Sequence, residues 1–200
     1  ATKSYSSGEG GALTMNDEKY YERSEFLWEK GTDRSLVVQG LKNKYSWVDY
    51  GSSFLPSDLL SALLCAQFEN LAQMQQKRKK LHDAYVKTFS KLKAKGLKML
   101  YIPDEIETNY HAFWLLFQNE KQRDVFLKLS LEKAISPYIG YIPLHTSPMG
   151  LKLGGGSFNL PITDFVGSSI VRLPFYIMDH EEIEYTCKNL LISAEVALSF

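Results

Sequence analysis

A helical pattern of apolar residues runs through the middle of the chain and limits its fold more than any other feature. The pattern begins after Ser57, a residue type that caps helix N-termini, and it ends at Gly96, which suits a helix C-terminus. Between these points apolar side chains recur at helical spacing: Leu60, Leu63, Leu64, Phe68, Leu71, Leu81, Tyr85, Phe89 and Leu92. The pattern predicts one long helix, or two nearly coaxial helices, over residues 58–96. The segments 1–57 and 97–200 then flank a connecting helix.

Strands and helices are predicted to alternate on both sides of this helix. Alternating or continuous apolar runs predict strands in "GGALTMND", "HAFWLLF" and "IVRLPFY", and a strand followed by a loop in "YIGYIPLHTSPMGLKLGGGS". Helical spacing predicts helices in "EKYYERSEFLWEKG", "QRDVFLKLSLEKA" and "HEEIEYTCKNLLISAEVAL". The long aromatic stretch "TDRSLVVQGLKNKYSWVDYGSSFLP" has no clear periodicity, so we interpret it as a candidate binding loop. The fold class is therefore α/β.

The charge balance and the cysteines exclude several function classes. Lys plus Arg equals Asp plus Glu at 23 each, which provides no broad basic field for nucleic acid or anionic lipid. No run of 18 or more apolar residues predicts a membrane span. Cys65 and Cys187 lie in apolar helical patterns without CxxC spacing, which favours buried, reduced thiols in a cytoplasmic protein over a disulfide or a zinc site. We expect no metal.

Lys3 is the first candidate for a reactive group. A lysine close to a chain terminus is usually a solvated side chain. Here, however, "TKSYSSGEGGAL" continues directly into Gly8, Gly10 and Gly11. Glycines lack a Cβ, so the backbone of such a turn can approach a ligand closely.

The segment around Lys3 resembles the lysine segment of the DegT/StrS family of nucleotide-sugar aminotransferases. The matching letters are "ATK" and "GEGG", and the likeness continues in family order through "EKGTDRS", "KYSWVDYGSSFLPSDLLSALLCAQFENL", "YIPLH" and "VRLPFY". It covers nearly the whole chain. The wording of "GTDRS", "WVDYGSS" and "YIPLH" is most similar to the TDP-4-keto-6-deoxyglucose transaminase branch, which makes TDP-4-amino-4,6-dideoxygalactose for enterobacterial common antigen and related surface glycans.

The resemblance implies a fold-type I enzyme that depends on pyridoxal phosphate, with Lys3 as the aldimine-forming residue and general base. Glutamate would donate the amino group, and the 4-keto carbon of a TDP-4-keto-6-deoxyhexose would accept it. Because only two residues precede Lys3, we expect the chain to be the C-terminal half of such an enzyme. Residues 1–57 would end the large domain, 58–96 would form the connecting helix, and 97–200 the small α/β domain. The whole enzyme would be a homodimer.

Five further residues are carried over from the family. Ser53 stands where many relatives have an asparagine that reaches the cofactor phosphate of the neighbouring subunit, and a simple turn residue is the alternative. Arg34 and Tyr45 lie in the segment that reaches toward substrate, with an ordinary surface arginine as the alternative. Tyr141 and His145 align with a strand and loop near the sugar site, although Gly140 replaces a frequent histidine. A satisfied loop histidine is the alternative for His145.

Two other interpretations stay open at this point. A family dehydratase would share the fold but carry histidine in place of the lysine, so Lys3 is evidence against it. A non-catalytic fragment or split-gene partner would act by association with another chain. We expect the 200-residue chain alone to have little or no transaminase activity, because the cofactor site of a fold-type I enzyme lies largely upstream of the lysine.

Overall fold

The structure, a computed structural model, describes residues 3–200 and divides between Asn70 and Leu71 into two units. Its α-helices are α1 (Tyr21–Trp28), α2 (Arg34–Val38), α3 (Asp58–Glu69), α4 (Leu71–Phe89), α5 (Glu120–Leu131), α6 (Pro148–Lys152), α7 (Pro161–Ser169) and α8 (His180–Ala197). The strands are β1 (Lys98–Met99), β2 (Trp114–Leu116), β3 (Tyr138–Ile139) and β4 (Ile170–Arg172). Short 3-10 turns cover Glu18–Tyr20, Ser90–Lys95, Leu144–Thr146 and Gly155–Ser157. Among residues 3–200 no helix is long and apolar enough to cross a membrane.

The first unit has no apolar core of its own among residues 3–70. Gly31 and Asp33 are the only buried residues in that range, and large apolar side chains such as Trp47, Tyr50 and Leu59 are mostly exposed. Exposed apolar side chains in such number are typical of a surface that packs against other protein.

Two glycines shape the middle of the first unit. Gly31 ends the turn after α1 with φ +74°, and a Cβ there would lie 1.8 Å from the Asp49 carbonyl oxygen. A Cβ on Gly51 would lie 2.1 Å from the Gly31 nitrogen. The close approach lets the Val48 and Asp49 amides both donate to the Gly31 carbonyl, at 2.8 and 3.0 Å. A side chain at either glycine would push the two backbone segments apart.

The second unit is an antiparallel sheet with helices packed around one apolar core. The strand order is β1-β2-β4-β3, and every neighbouring pair is antiparallel, with Leu115 opposite Val171 in the central pair. Helix α8 packs against α4 and α5. The core contains fully buried side chains from the helices and the sheet, including Tyr85, Phe113 and Leu190. The second unit therefore buries apolar side chains within itself, whereas the first unit does not.

The structure confirms several predicted elements. Helix α3 begins after Ser57, whose hydroxyl accepts from the Leu60 amide, and the helical segment ends at Gly96 in the left-handed conformation. Helix α8 and strands β2 and β4 lie within their predicted segments, and α5 overlaps its predicted segment but begins earlier, at Glu120. The mixed helix and sheet agree with the predicted α/β class.

The structure contradicts the predicted strand at residues 10–17 and the predicted burial of Cys65, and it adds detail to two other predicted segments. Residues 10–17 form no strand; a strand needs a hydrogen-bonded neighbour, and none pairs with this stretch among residues 3–200. Of the two forms predicted for the central segment, the structure has two helices rather than one: Asn70 caps α3, its side-chain amide donates to the Ala66 carbonyl and competes with helix continuation, and α4 begins at Leu71. The predicted binding loop contains the short helix α2. Cys65 is exposed and Cys187 half-buried; both are free thiols.

Candidate active site

Lys3 lies on an exposed turn whose backbone is shaped by glycines. Gly8 has φ +78° and Gly10 has φ +159°, so both adopt conformations that side chains disfavour. The Ser6 hydroxyl accepts from the Gly8 amide at 3.2 Å, which tightens the turn. A Cβ on Gly11 would have no atom within 4 Å, so the space beside the turn is open. The Lys3 side chain is exposed in this segment.

Helix α3 supports this turn through three contacts. The Ser6 amide donates to Gln67 Oε1 at 3.0 Å, and Gln67 Nε2 donates back to the Ser6 carbonyl at 2.5 Å. The Tyr5 ring packs on Phe68 with centroids 5.6 Å apart. A Cβ on Gly8 would touch Leu60 at 3.5 Å, so the turn lies directly on the helix. The sequence analysis did not identify Gln67, because a glutamine on an amphipathic helix carries no local signal of a partner.

The loop that carries Arg34 and Tyr45 is closed by a buried aspartate. Asp33 is 1% exposed; its carboxylate accepts from the Ser46 amide at 2.6 Å and from the Lys42 ammonium, and its own amide donates to the Ser46 carbonyl at 3.1 Å. The Lys42 side chain and the Ser46 amide lower the pKa of the Asp33 carboxyl, because both favour its charged form. Arg34 follows Asp33 and Tyr45 precedes Ser46, so both candidates are next to the residues that the Asp33–Ser46 hydrogen bonds join.

Arg34 and Tyr45 are accessible in this arrangement. Arg34 is the first residue of α2, and its guanidinium lies 3.7 Å from the Glu29 carboxylate with more than half of the side chain exposed. Tyr45 is also exposed. A guanidinium has five N–H donors, so a single long contact leaves Arg34 able to bind a further anion. Asp33 was missed by sequence reasoning, although it directly precedes Arg34.

Ser53 lies on a segment that pairs with the end of α1. Glu29 and Ser53 form an isolated antiparallel bridge, and the Phe54 amide donates to the Trp28 carbonyl at 3.1 Å. The Ser53 side chain is exposed on this short pairing. The backbone pairing holds Ser53 in place, and its exposed hydroxyl can donate a hydrogen bond to a phosphate.

Tyr141 and His145 belong to the second unit and differ in accessibility. Tyr141 is 82% exposed and lines a cavity of about 500 Å³, together with Trp114 and Arg172. His145 has a side chain only 9% exposed, and its Nε2 lies 3.1 Å from an Asp164 carboxylate oxygen. The Asp164 contact, which the sequence did not indicate, fixes the imidazole orientation. This geometry agrees with the alternative of a satisfied loop histidine more closely than with a freely accessible one.

Two other histidines, His82 and His180, also belong to the second unit. His82 packs in the second unit against the rings of Tyr110 and Phe113, at centroid distances of 5.2 and 5.5 Å. His180 is exposed at the start of α8, with its Nε2 3.3 Å from the Glu184 carboxylate. Within residues 3–200 no group of three or more His, Cys, Asp or Glu side chains could hold a metal ion.

Comparisons with known proteins define the class. The DegT/DnrJ/EryC1/StrS aminotransferase family model matches residues 1–191. GDP-perosamine synthase from Escherichia coli O157:H7 is 24% identical over 193 residues, covering 94% of this chain and 48% of that protein. The chain belongs to the DegT/DnrJ/EryC1/StrS aminotransferase family.

Solved structures agree with this class. The aminotransferase TlmJ from Streptoalloteichus hindustanus has a TM-score of 0.77 at 17% identity, over 95% of this chain and 49% of that one. The putative sugar aminotransferase Spr1654 from Streptococcus pneumoniae, in its PMP form, has a TM-score of 0.74 at 18% identity, over 94% and 48%. The fold is therefore that of part of a sugar aminotransferase, which confirms the predicted fold class. The chain spans about half the length of the relatives it matches.

Proposed function

We propose that this chain is part of a pyridoxal-phosphate-dependent nucleotide-sugar aminotransferase in which Lys3 bonds to the cofactor. The observation that carries the proposal is the exposed Lys3 on a glycine turn packed on α3, in a chain that matches the aminotransferase family over residues 1–191. Spr1654, a structural neighbour, has been solved in PLP and PMP forms. Family membership and this neighbour together support the cofactor.

The residues around the turn fit such a cofactor. A primary amine is the group that bonds reversibly to the cofactor aldehyde, and Lys3 offers one on an open surface. The open space at Gly11 leaves room for a planar ring beside the turn. When bound, pyridoxal phosphate supplies an aldehyde that takes up and releases an amino group and a ring that withdraws electrons. Lys3 Nζ would tether the cofactor and, once displaced, move a proton on and off the reacting carbon.

The remaining candidates are assigned by what their side chains can donate. The exposed Ser53 hydroxyl would donate to the cofactor phosphate. Arg34 and Tyr45, which are adjacent to the hydrogen-bonded residues Asp33 and Ser46, would bind a carboxylate or diphosphate. In the second unit, Tyr141 at its cavity would contact substrate, whereas the nearly buried His145, paired with Asp164, would hold the loop beside it.

The donor and acceptor are proposed from the sequence motifs. Glutamate would give its amino group to the 4-keto carbon of a TDP-4-keto-6-deoxyhexose, in the synthesis of surface polysaccharide. The E. coli relative named GDP-perosamine synthase favours a second candidate, a GDP-linked sugar. The two candidates differ in the nucleotide, so turnover of matched TDP- and GDP-linked 4-keto-6-deoxy sugars separates them.

Association is proposed for the same enzyme. No apolar side chain within residues 3–70 is buried, which supports a second copy of the protein covering part of this surface. We therefore expect a homodimer in solution. Residues 1–200 expressed alone should have little or no activity; if they act only by association with another chain, mixing would restore turnover.

The test is turnover by the protein as its own gene encodes it, purified with pyridoxal phosphate. We expect glutamate-dependent amination of the TDP-linked sugar, and loss of at least about a thousandfold in kcat for Lys3→Ala, since both tether and proton carrier are removed. Lys19→Ala, an exposed lysine in the same unit and outside the candidate binding loop, is the matched control. Equal turnover in Lys3→Ala and the wild type would refute the assignment of Lys3. Turnover of the GDP-linked sugar and not of the TDP-linked sugar would show that the substrate carries GDP instead of TDP.

A further inference from the structure

Gln67 makes a reciprocal pair of hydrogen bonds with one peptide of the Lys3 turn. It accepts from the Ser6 amide at 3.0 Å and donates to the Ser6 carbonyl at 2.5 Å, across 61 residues of sequence. This is the pattern that a neighbouring strand would offer to Ser6. The side chain of Gln67 thus takes the place of a strand partner at the peptide three residues after Lys3.

Glutamine is the residue type that this pairing requires. A side-chain amide carries both a donor and an acceptor, so it satisfies the N–H and the C=O of one peptide together. Gln67 Nε2 also contacts the Leu63 carbonyl, one helical turn earlier, at 3.1 Å. This second contact fixes which side of the amide faces Ser6. A carboxylate of the same size could accept from the Ser6 amide but would repel its carbonyl.

The pairing is reinforced on both sides along the turn. Tyr5 packs on Phe68 before Ser6, and Gly8 rests on Leu60 after it. All the supporting residues lie on α3, so one rigid element determines the path of the turn. Lys3 is the nearest side chain to this supported stretch that carries a reactive amine.

We propose that Gln67 is a positioning residue for Lys3: its amide fixes the Ser6 peptide and so keeps the Lys3 amine in the place where the reaction needs it. The inference rests on the proposed function of Lys3. The hydrogen bonds of the Gln67 side chain go to the backbone of Ser6 and Leu63, so Gln67 would act on the Lys3 amine through the backbone of the turn. Misplacing a reacting group by about 1 Å costs on the order of a hundredfold in rate.

The first experiment measures the turn without any activity. The protein as its own gene encodes it, loaded with pyridoxal phosphate, is compared with Gln67→Ala, Gln67→Glu and Gln67→Met by amide hydrogen exchange at Ser6. We expect exchange to quicken at least about tenfold in Gln67→Ala and Gln67→Met, and less in Gln67→Glu, which keeps the acceptor. Gln73→Ala, an exposed glutamine on α4, is the matched control. Gln67 is only half-buried, so its truncation leaves the fold in place.

The second experiment separates positioning from a merely structural role. Gln67→Ala should lower kcat by about ten- to a hundredfold while the KM for the sugar changes less than about threefold, because substrate binding is not altered. An unchanged exchange rate at Ser6 in Gln67→Ala would overturn the claim that Gln67 holds the Ser6 peptide in place. Faster exchange with an unchanged kcat overturns the positioning role. Absence of turnover in the wild type overturns the proposed function, and the catalytic part of this inference with it, whatever the exchange at Ser6.

Discussion

Removing one buried hydroxyl from the second unit should have a calculable effect. The Tyr85 side chain on α4 is fully buried, and its hydroxyl donates to the Pro174 carbonyl at 2.7 Å. Tyr85→Phe keeps the ring contact with Phe113, at 5.3 Å, and removes only the hydrogen bond. The Pro174 carbonyl would lose a partner in an apolar surrounding. We expect the free energy of unfolding to fall by about 1–2 kcal/mol.

This loss should not depend on pH. Burial raises the pKa of the Tyr85 phenol far above its ordinary value, because the charged form would be desolvated. The phenol therefore stays a neutral donor across the pH range in which the protein is folded. By contrast, Tyr85→Ala would also remove the ring and should cost roughly 3–5 kcal/mol.

Urea denaturation read by Trp114 fluorescence measures the effect. Trp114 lies in β2 of the second unit, and replacing Trp28 and Trp47 with phenylalanine leaves it as the one tryptophan within residues 1–200. With a slope of about 2 kcal/mol/M, the Tyr85→Phe midpoint should fall by roughly 0.5–1 M without a change in slope. Tyr101→Phe, an exposed tyrosine, should leave the midpoint unchanged. A Tyr85→Phe midpoint within about 0.2 M of the parent value would refute the reasoning.

Two further predictions concern charge and packing. The low pKa of Asp33 means that its stabilising pairing is complete above the ordinary carboxyl value of about 3.9 and is lost as pH falls through the lower folded-state pKa. The Ser46 amide chemical shift should therefore titrate below about pH 3.9, and Asp33→Asn should abolish that titration; a midpoint above 3.9 would contradict the Lys42 and Ser46 contacts. Leu190→Ala, in the fully buried core, should cost about 2–5 kcal/mol in urea denaturation, whereas the exposed Leu153→Ala should cost less than about 0.5 kcal/mol. Equal costs for the two leucines would place the core elsewhere.

Local signals predicted the elements that depend on local structure. Ser57 marked the start of α3 and Gly96 the end of the helical segment, because capping involves residues within one turn. Residues 10–17 were wrongly predicted as a strand, since pairing depends on a partner that the local pattern does not show. The sequence left one helix or two helices open around Asn70, whose side chain bonds to the Ala66 carbonyl at the end of α3.

Some residues of the candidate site could also be predicted from local sequence, and others could not. Lys3 and its glycines could be recognised from a short contiguous stretch. Gln67, Asp33 and Asp164 could not, because each acts on a residue distant in sequence and belongs to a residue type common on protein surfaces. The supports of a site are non-local, whereas its reactive residues often lie in short motifs.

The central claim is that Lys3 is the residue that bonds to pyridoxal phosphate. The most direct measurement is borohydride reduction of the protein as its own gene encodes it, in the presence of the cofactor, followed by peptide mass spectrometry. We expect a pyridoxyl-phosphate adduct on the peptide that carries Lys3, and none on that peptide in Lys3→Arg. An adduct on another lysine, or none in the wild-type protein, would contradict it.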